Sequence, residues 1–240
     1  MSGHSKWHSI KQKKGAADAK RGQIFSKLSK ALTVCARDGG GDPTMNFSLR
    51  LIMEKARSAN MPKENIERAI ARGTGEGADG VQIQTVLYEA MGPGGAALLV
   101  EAMTDNTNRA LTNVKIIFNK LGGNMGASVK WMFERKGIVR SELSGGAIDR
   151  DQIELELIEA GAEEINWDEE NGLEVVSSIS DLKKIKEVIE AAGFKVESAD
   201  LEYLAKDKVA LSSEDEEKLG LIIETLDEDE DVTNVFTNAG

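Results

Sequence analysis

Residues 86–103 read VLYEAMGPGGAALLVEAM, two strand-like apolar runs (86–91 and 96–103) on either side of a Gly92-Pro93-Gly94-Gly95 turn. Glycine and proline punctuate the chain there, and the flanking runs have the composition of a pleated, buried surface. A helical stripe follows at once, with Ala110, Leu111, Val114, Ile117, Phe118 and Leu121 on one side, and Gly122-Gly123 close it. From residue 86 onward the chain therefore reads as sheet and helix in alternation.

Upstream the pattern is helical only. Across 16–37, Ile24, Phe25, Leu28, Ala31, Leu32 and Cys35 fall on one stripe, with Lys27, Lys30 and Arg37 on the other side. Glycines 39–41 end this helix, and Asp42-Pro43 reads as the cap and first turn of a second one, with Met45, Leu49, Ile52, Met53 and Ala56 as its stripe. A third helix starts near Asn60-Met61-Pro62, buries Ile66, Ala69 and Ile70, and ends at Gly73. GTGEGADG (73–80) formally contains G-x-G-x-x-G at Gly75, Gly77 and Gly80. A helix precedes it where a dinucleotide fingerprint needs a strand, so it reads as a linker.

Downstream, VKWMF (129–133) and GIVRSE (137–142) read as strands, followed by a helix over 149–160, strands EEINWD and LEVVSS, a helix over 181–192 and the strand FKVESADLEYL. The order β-α-β-β-α-β over roughly 135–205 is that of a split β-α-β unit. The tail adds a strand KVALS (208–212), a capping box at Ser213 with Glu216, a helix to Leu226 and the strand VTNVF. The expected class is α+β with three domains: a basic helical N-terminal domain (1–75), a discontinuous α/β domain (76–134 and 206–240) and an acidic α/β domain (135–205) inserted into it. Both sheet domains are expected to be ferredoxin-like layers.

Charge is divided just as sharply. Residues 1–73 hold 15 Lys/Arg and 6 Asp/Glu, net +9, whereas 74–240 hold 15 and 35, net −20, giving the total of −11. Lys6, Lys11, Lys13, Lys14, Lys20, Arg21 and Lys27 have only Asp18 among them, although ordinary helical surfaces mix both signs. That purity points to phosphate, which gives affinity without distinguishing DNA from RNA. Trp7 is suited equally to stacking on an unpaired base and to anchoring the arm. A second positive area, 104–140, carries seven bases and two acids. Within it Asn106, Asn108, Arg109 and Lys115 cluster around a helix start, where N–H groups favour anions and asparagine serves equally as a plain cap, and Asn124 and Met125 lie in the glycine-rich GGNMGAS, with Met125 expected as an exposed tip.

Catalytic signatures are lacking. The two histidines, His4 and His8, lie in the first ten residues, and no nucleophile elbow, Walker lysine loop or H-E-x-x-H pair is present. No metal or cofactor site is expected, since one cysteine, Cys35, supplies neither a disulfide nor a thiolate cluster. No apolar run reaches the roughly 20 residues of a membrane helix. A cytoplasmic, non-enzymatic, monomeric protein is expected, with no membrane partner. The other reading of the same residues is a protein-interaction module, its acidic domains docking basic partners and its arm holding domains together.

At GHSKWHSIK (3–11), RGQIFSKL (21–28), NMPKENIERAI (60–70), YEAMGPGGAALLVEAMTDNTNRA (88–110) and GGNMG (122–126) the chain resembles the YebC/PmpR family, continuously from residue 1 to about 137 and again at VTNVFTN (232–238). The resemblance implies a three-domain protein, a helical domain followed by two α/β domains, one interrupted by the other. It also implies a DNA-binding transcriptional regulator, or a translational activator acting on RNA at the ribosome. Gly3, His4, Ser5, Lys6, Trp7, Lys11 and Arg21 match the family's opening, and Asp105, Asn106, Asn108 and Arg109 its TDN-x-NR. Thr107 stands where the family commonly has Arg, and Asn46-Phe47-Ser48-Leu49-Arg50 where it has N-P-R-L-R.

Overall fold

The computed structural model describes residues 18–76, 82–143, 149–168 and 172–240. The arm residues His4, Lys6, Trp7, Lys11, Lys13 and Lys14, the side chain of Lys20, and Gly77 and Gly80 of the linker lie outside the described set.

Three helices come first: α1 (Asp18–Gly39), α2 (Phe47–Ser58) and α3 (Lys63–Thr74). Leu32, Ala36, Leu49, Ala56, Met61, Ile66 and Ala69 form their shared core, with Phe25, Leu28 and Cys35 packed against it. The α2 boundary departs from expectation. Its N-cap is Asn46, whose side-chain oxygen accepts from the Leu49 N–H while its amide donates to the Cys35 and Gly40 carbonyls, each at 2.8 Å. One buried side chain thus satisfies three backbone groups, which outcompetes Asp42 as cap. Asp42 instead folds a local turn onto Thr44. Met45, left ahead of the helix, is exposed, and Ile24 likewise falls off its stripe. α3 runs past Gly73 to Thr74, with Gly75 in the left-handed conformation beyond it.

The discontinuous sheet contains β1 (Gln84–Met91), β2 (Ala97–Thr104), β3 (Asn124–Met125) and, from the far end of the chain, a strand pairing with β2. β1 and β2 pair antiparallel, Tyr88 opposite Val100 and Glu89 opposite Leu99. Their turn places Gly94 and Gly95 at positive φ, which other residues adopt only under strain. Helix α4 (Thr107–Leu121) follows β2 and returns the chain to β3.

The unit of residues 134–204, enclosed in sequence by the other, is separately compact. It comprises β4 (Phe133–Leu143), α5 (Arg150–Ala160), β5 (Ala162–Trp167), β6 (Gly172–Ser177), α6 (Leu182–Ala191) and β7 (Phe194–Ala205). Its sheet order, β5-β6-β4-β7, is that of the split β-α-β unit. Val139, Leu157, Val175, Ile185 and Ile189 are fully buried there.

The chain then completes the first sheet with α7 (Ser213–Asp227) and β8 (Val232–Thr237), giving the order β3-β1-β2-β8. The two sheets share a layered build and differ in strand order. β2 is covered on both faces. Leu98 and Val100 join Val114, Phe118, Leu219 and Ile222 beneath α4 and α7, and Leu99, equally buried, points the other way, where α1 touches β2.

Three local expectations change. KVALS makes a single parallel bridge, Val209 with Ala239, because the chain must reach the α7 N-cap within three residues; that cap is Ser212, accepting from the Asp215 N–H. VKWMF is a tight 3-10 turn at Lys130–Met132 before β4 begins, because Glu89 captures the Val129 and Lys130 N–H groups and pulls the backbone out of extension. GGNMG is a return to the sheet. Gly122 caps α4 at positive φ, Gly123 passes against the Phe118 ring, and Met125 pairs with Ala90 and packs half-buried on the core, so it is not an exposed tip.

Candidate nucleic-acid interface

α1 continues the basic N-terminal segment into the described fold, and its polar side meets the acidic loop Asp227–Asp231 between α7 and β8. Lys27 Nζ donates to the Asp227 carbonyl at 2.6 Å, Gln23 Nε2 to the Glu228 carbonyl at 3.3 Å, and Lys30 Nζ to the Glu230 carbonyl at 3.0 Å. The Asp227 and Glu228 carbonyls end α7, where the unsatisfied C=O groups and the macrodipole favour cations. Lys27, a candidate phosphate ligand by sequence, thus serves as a docking contact on this chain's own helix terminus.

The second positive area converges on the same loop. Asn106 caps α4, its side chain accepting from the Arg109 N–H at 3.1 Å. Arg109 donates to both carboxylate oxygens of Asp231, the nearer at 2.9 Å, and to Asp105 at 2.8 Å. Lys30 also reaches Asp231, at Oδ1, at 2.5 Å. The Asp231 side chain is only 3% exposed. Burial alone would raise its carboxyl, but Lys30 and Arg109 outweigh that and hold it below the ordinary aspartate range. The same pairing raises the Arg109 guanidinium, through Asp231 first and Asp105 second. Asn113 adds a 3.0 Å bond to Asp229. Arg109 and Asn106 are therefore parts of a fastening between α1, α4 and the α7–β8 loop.

Of the other sequence candidates on α4, Asn108 and Lys115 are exposed. Asn124 is exposed beyond the opposite end of the helix, about 22 Å away at 1.5 Å per residue, so residues 104–126 do not converge on one spot. Arg21 is exposed on α1. Among the described residues no group of three or more His, Cys, Asp and Glu is placed to hold a metal, and no helix is long and apolar enough to cross a membrane.

Sequence reasoning missed Asp231 as the hub, since its partners lie 122 and 201 residues away. The available signal was complementarity, the run DEDED (227–231) against the acid-free side of α1. It also passed over Trp131, whose indole is 68% exposed.

Known proteins resemble this chain over nearly its whole length. A probable transcriptional regulatory protein of Geotalea uraniireducens is 48% identical over 240 residues, covering 99% of this chain and 95% of its own. One of Trichlorobacter lovleyi is 46% identical with the same coverage. The crystal structure of a conserved hypothetical protein from Aquifex aeolicus superposes with a TM-score of 0.83 at 38% identity, over 95% of this chain and 93% of that one. The TACO1/YebC protein N-terminal domain matches residues 5–76 and the TACO1/YebC second and third domain matches 83–239; the chain belongs to the TACO1/YebC family.

Proposed function

We propose that this protein is a non-enzymatic, nucleic-acid-binding regulator of gene expression, with RNA, including ribosomal RNA, as its favoured target. Lys27, Lys30 and Arg109 contact the acidic residues 227–231 of the same chain. The observation that carries the reading is a run in the sequence: Lys6, Lys11, Lys13, Lys14, Lys20 and Arg21 are six bases with Asp18 the one acid among them. Such a run neutralises phosphates, and the net −20 of residues 74–240 repels polyanion elsewhere and so orients the encounter. His4 and Trp7 belong to the same arm, and Asn108, Lys115 and Asn124 offer weaker secondary contacts.

The names of the relatives support a regulatory role. Base-specific reading of a DNA major groove has less support. α3 exposes Glu64 and Glu67, acids that phosphates would repel, and has no outward Gln or Asn series. Backbone recognition of a folded RNA needs only the arm's charge. The expected site of action is the cytoplasm.

Co-sedimentation with ribosomes, set beside retardation of promoter DNA in the same salt series, tests the reading. Ribosome binding with a log–log salt slope of roughly −0.7 to −0.9 per neutralised phosphate is expected. A slope near zero on both targets refutes it.

A further inference from the structure

Trp131 presents an indole to solvent on a rigid mount. The other described tryptophan, Trp167, is packed: its ring centroid lies 6.0 Å from that of Phe194, the Arg150 guanidinium covers it at 4.6 Å, and its N–H donates to Glu154 at 2.6 Å. Trp131 is 68% exposed. Leaving so large an apolar surface in water is unfavourable unless something else covers it in use.

The mount is unusually well fixed for an exposed turn. Glu89, paired opposite Leu99 in the central hairpin, accepts from the Val129 N–H at 2.6 Å and the Lys130 N–H at 2.7 Å. The indole N–H donates to the Ser128 carbonyl at 3.0 Å, which satisfies the ring's polar edge internally. On the far side the Lys206 N–H donates to the Met132 carbonyl and its ammonium to the Trp131 carbonyl, both at 2.9 Å. The ring is held by its edge while most of its surface stays open to solvent. Two cations accompany it, Lys130, the preceding residue and exposed, and Lys206, whose ammonium bonds the Trp131 carbonyl, while the one carboxylate bonded to the turn, Glu89, is engaged by two backbone N–H groups.

An exposed planar apolar group with Lys130 and Lys206 beside it matches an unpaired base with its flanking phosphates. A duplex hides its base faces, and an apolar protein partner would call for apolar rather than cationic neighbours. We infer that Trp131, flanked by Lys130 and Lys206, is a stacking platform for an unpaired base of single-stranded nucleic acid. This deepens the nucleic-acid reading above and rests on it, while using a part of the chain remote in sequence from the arm.

The test measures affinity of the full chain for a short oligouridylate RNA, the matching oligothymidylate DNA and an RNA duplex of equal length at one salt concentration. Trp131→Ala is expected to weaken single-strand binding by about 5- to 150-fold and to leave the duplex unchanged. Trp131→Phe is expected to keep most of the affinity while losing the component of indole emission that single strands quench in the wild type. The single strand with the larger loss names the polymer. Wild-type binding with an unchanged Trp131→Ala variant overturns this assignment alone. Wild-type protein that binds none of the three probes overturns the nucleic-acid reading, and this one with it.

Discussion

Lys30 and Asp231 meet at 2.5 Å across 201 residues of sequence, and Arg109 donates to both oxygens of the same carboxylate. This contact fastens the helical domain to the discontinuous sheet, and it does so with a carboxylate almost wholly removed from water. Removing the charge leaves the largely buried Lys30 without its carboxylate, while Arg109 keeps Asp105. Asp231→Asn is expected to lower stability by ~2–4 kcal/mol at neutral pH, read by chemical denaturation.

The pH dependence of that loss has a definite sign. The folded carboxyl titrates below its unfolded value, so its contribution is present above about pH 4, the unfolded aspartate range, and is lost as pH falls through the lower folded value. The gap between wild type and Asp231→Asn is expected to be constant from pH 5 to 7 and to close in acid. A gap that widens in acid refutes the latch.

How much of this was legible depended on sequence distance. The helical stripe Leu28, Leu32, Cys35 and the β-α-β-β-α-β order needed only local periodicity, because core-facing residues repeat with the element that carries them. Boundaries failed where one side chain captured distant backbone. Asn46 took the cap from Asp42 by also bonding the Cys35 carbonyl, and Glu89 turned Val129 and Lys130 out of extension. In the candidate site the cations were visible but their partners were not. Nothing near Lys27 or Arg109 announces a carbonyl or carboxylate supplied by residues 227–231.

Gly73 and Gly22 make a controlled pair on the helical domain. A Cβ at Gly73 would overlap the Thr33 carbonyl oxygen, where α1 and α3 cross and Thr33 Oγ1 donates to the Ala69 carbonyl at 3.0 Å. Nothing lies within 4 Å of a Cβ at Gly22. Gly73→Ala is expected to destabilise by ~1–3 kcal/mol, and Gly22→Ala to stabilise by ~0.5–1 kcal/mol through helix propensity. Thermal denaturation of the two variants should shift in opposite directions.

The inserted domain carries its own charge cluster. Arg140, 8% exposed, donates to Glu174 at 2.8 Å and to Glu202 at 2.6 Å. Desolvation would lower its guanidinium, but Glu202 and Glu174 raise it instead. Arg140→Met leaves two carboxylates side by side, and a loss of about 3–5 kcal/mol confined to residues 134–204 is expected by hydrogen exchange. Replacing Glu174 and Glu202 by Leu in the same chain should recover most of it.

Cys35 packs half-buried on the helical core, and burial, helped by Asp38, pushes its thiol up to about 11. At pH 8 the thiolate fraction is then about a thousandth, so an aromatic disulfide reagent should label the native protein slowly and the unfolded protein at once. Labelling at an unfolded-like rate under native conditions would contradict the packing.

The arm and Lys27 separate binding from docking. Lys27→Gln removes a 2.6 Å contact to the Asp227 carbonyl and is expected to cost about 0.5–1.5 kcal/mol of stability while leaving the salt slope of RNA binding in place. Lys11→Glu, Lys13→Glu and Lys14→Glu together are expected to do the reverse, leaving unfolding transitions alone while reducing the magnitude of the slope by about two to three. Equal loss of slope from both variants would mean that Lys27 leaves the helix terminus to meet phosphate. Unchanged binding from the triple variant would remove the arm from the interface.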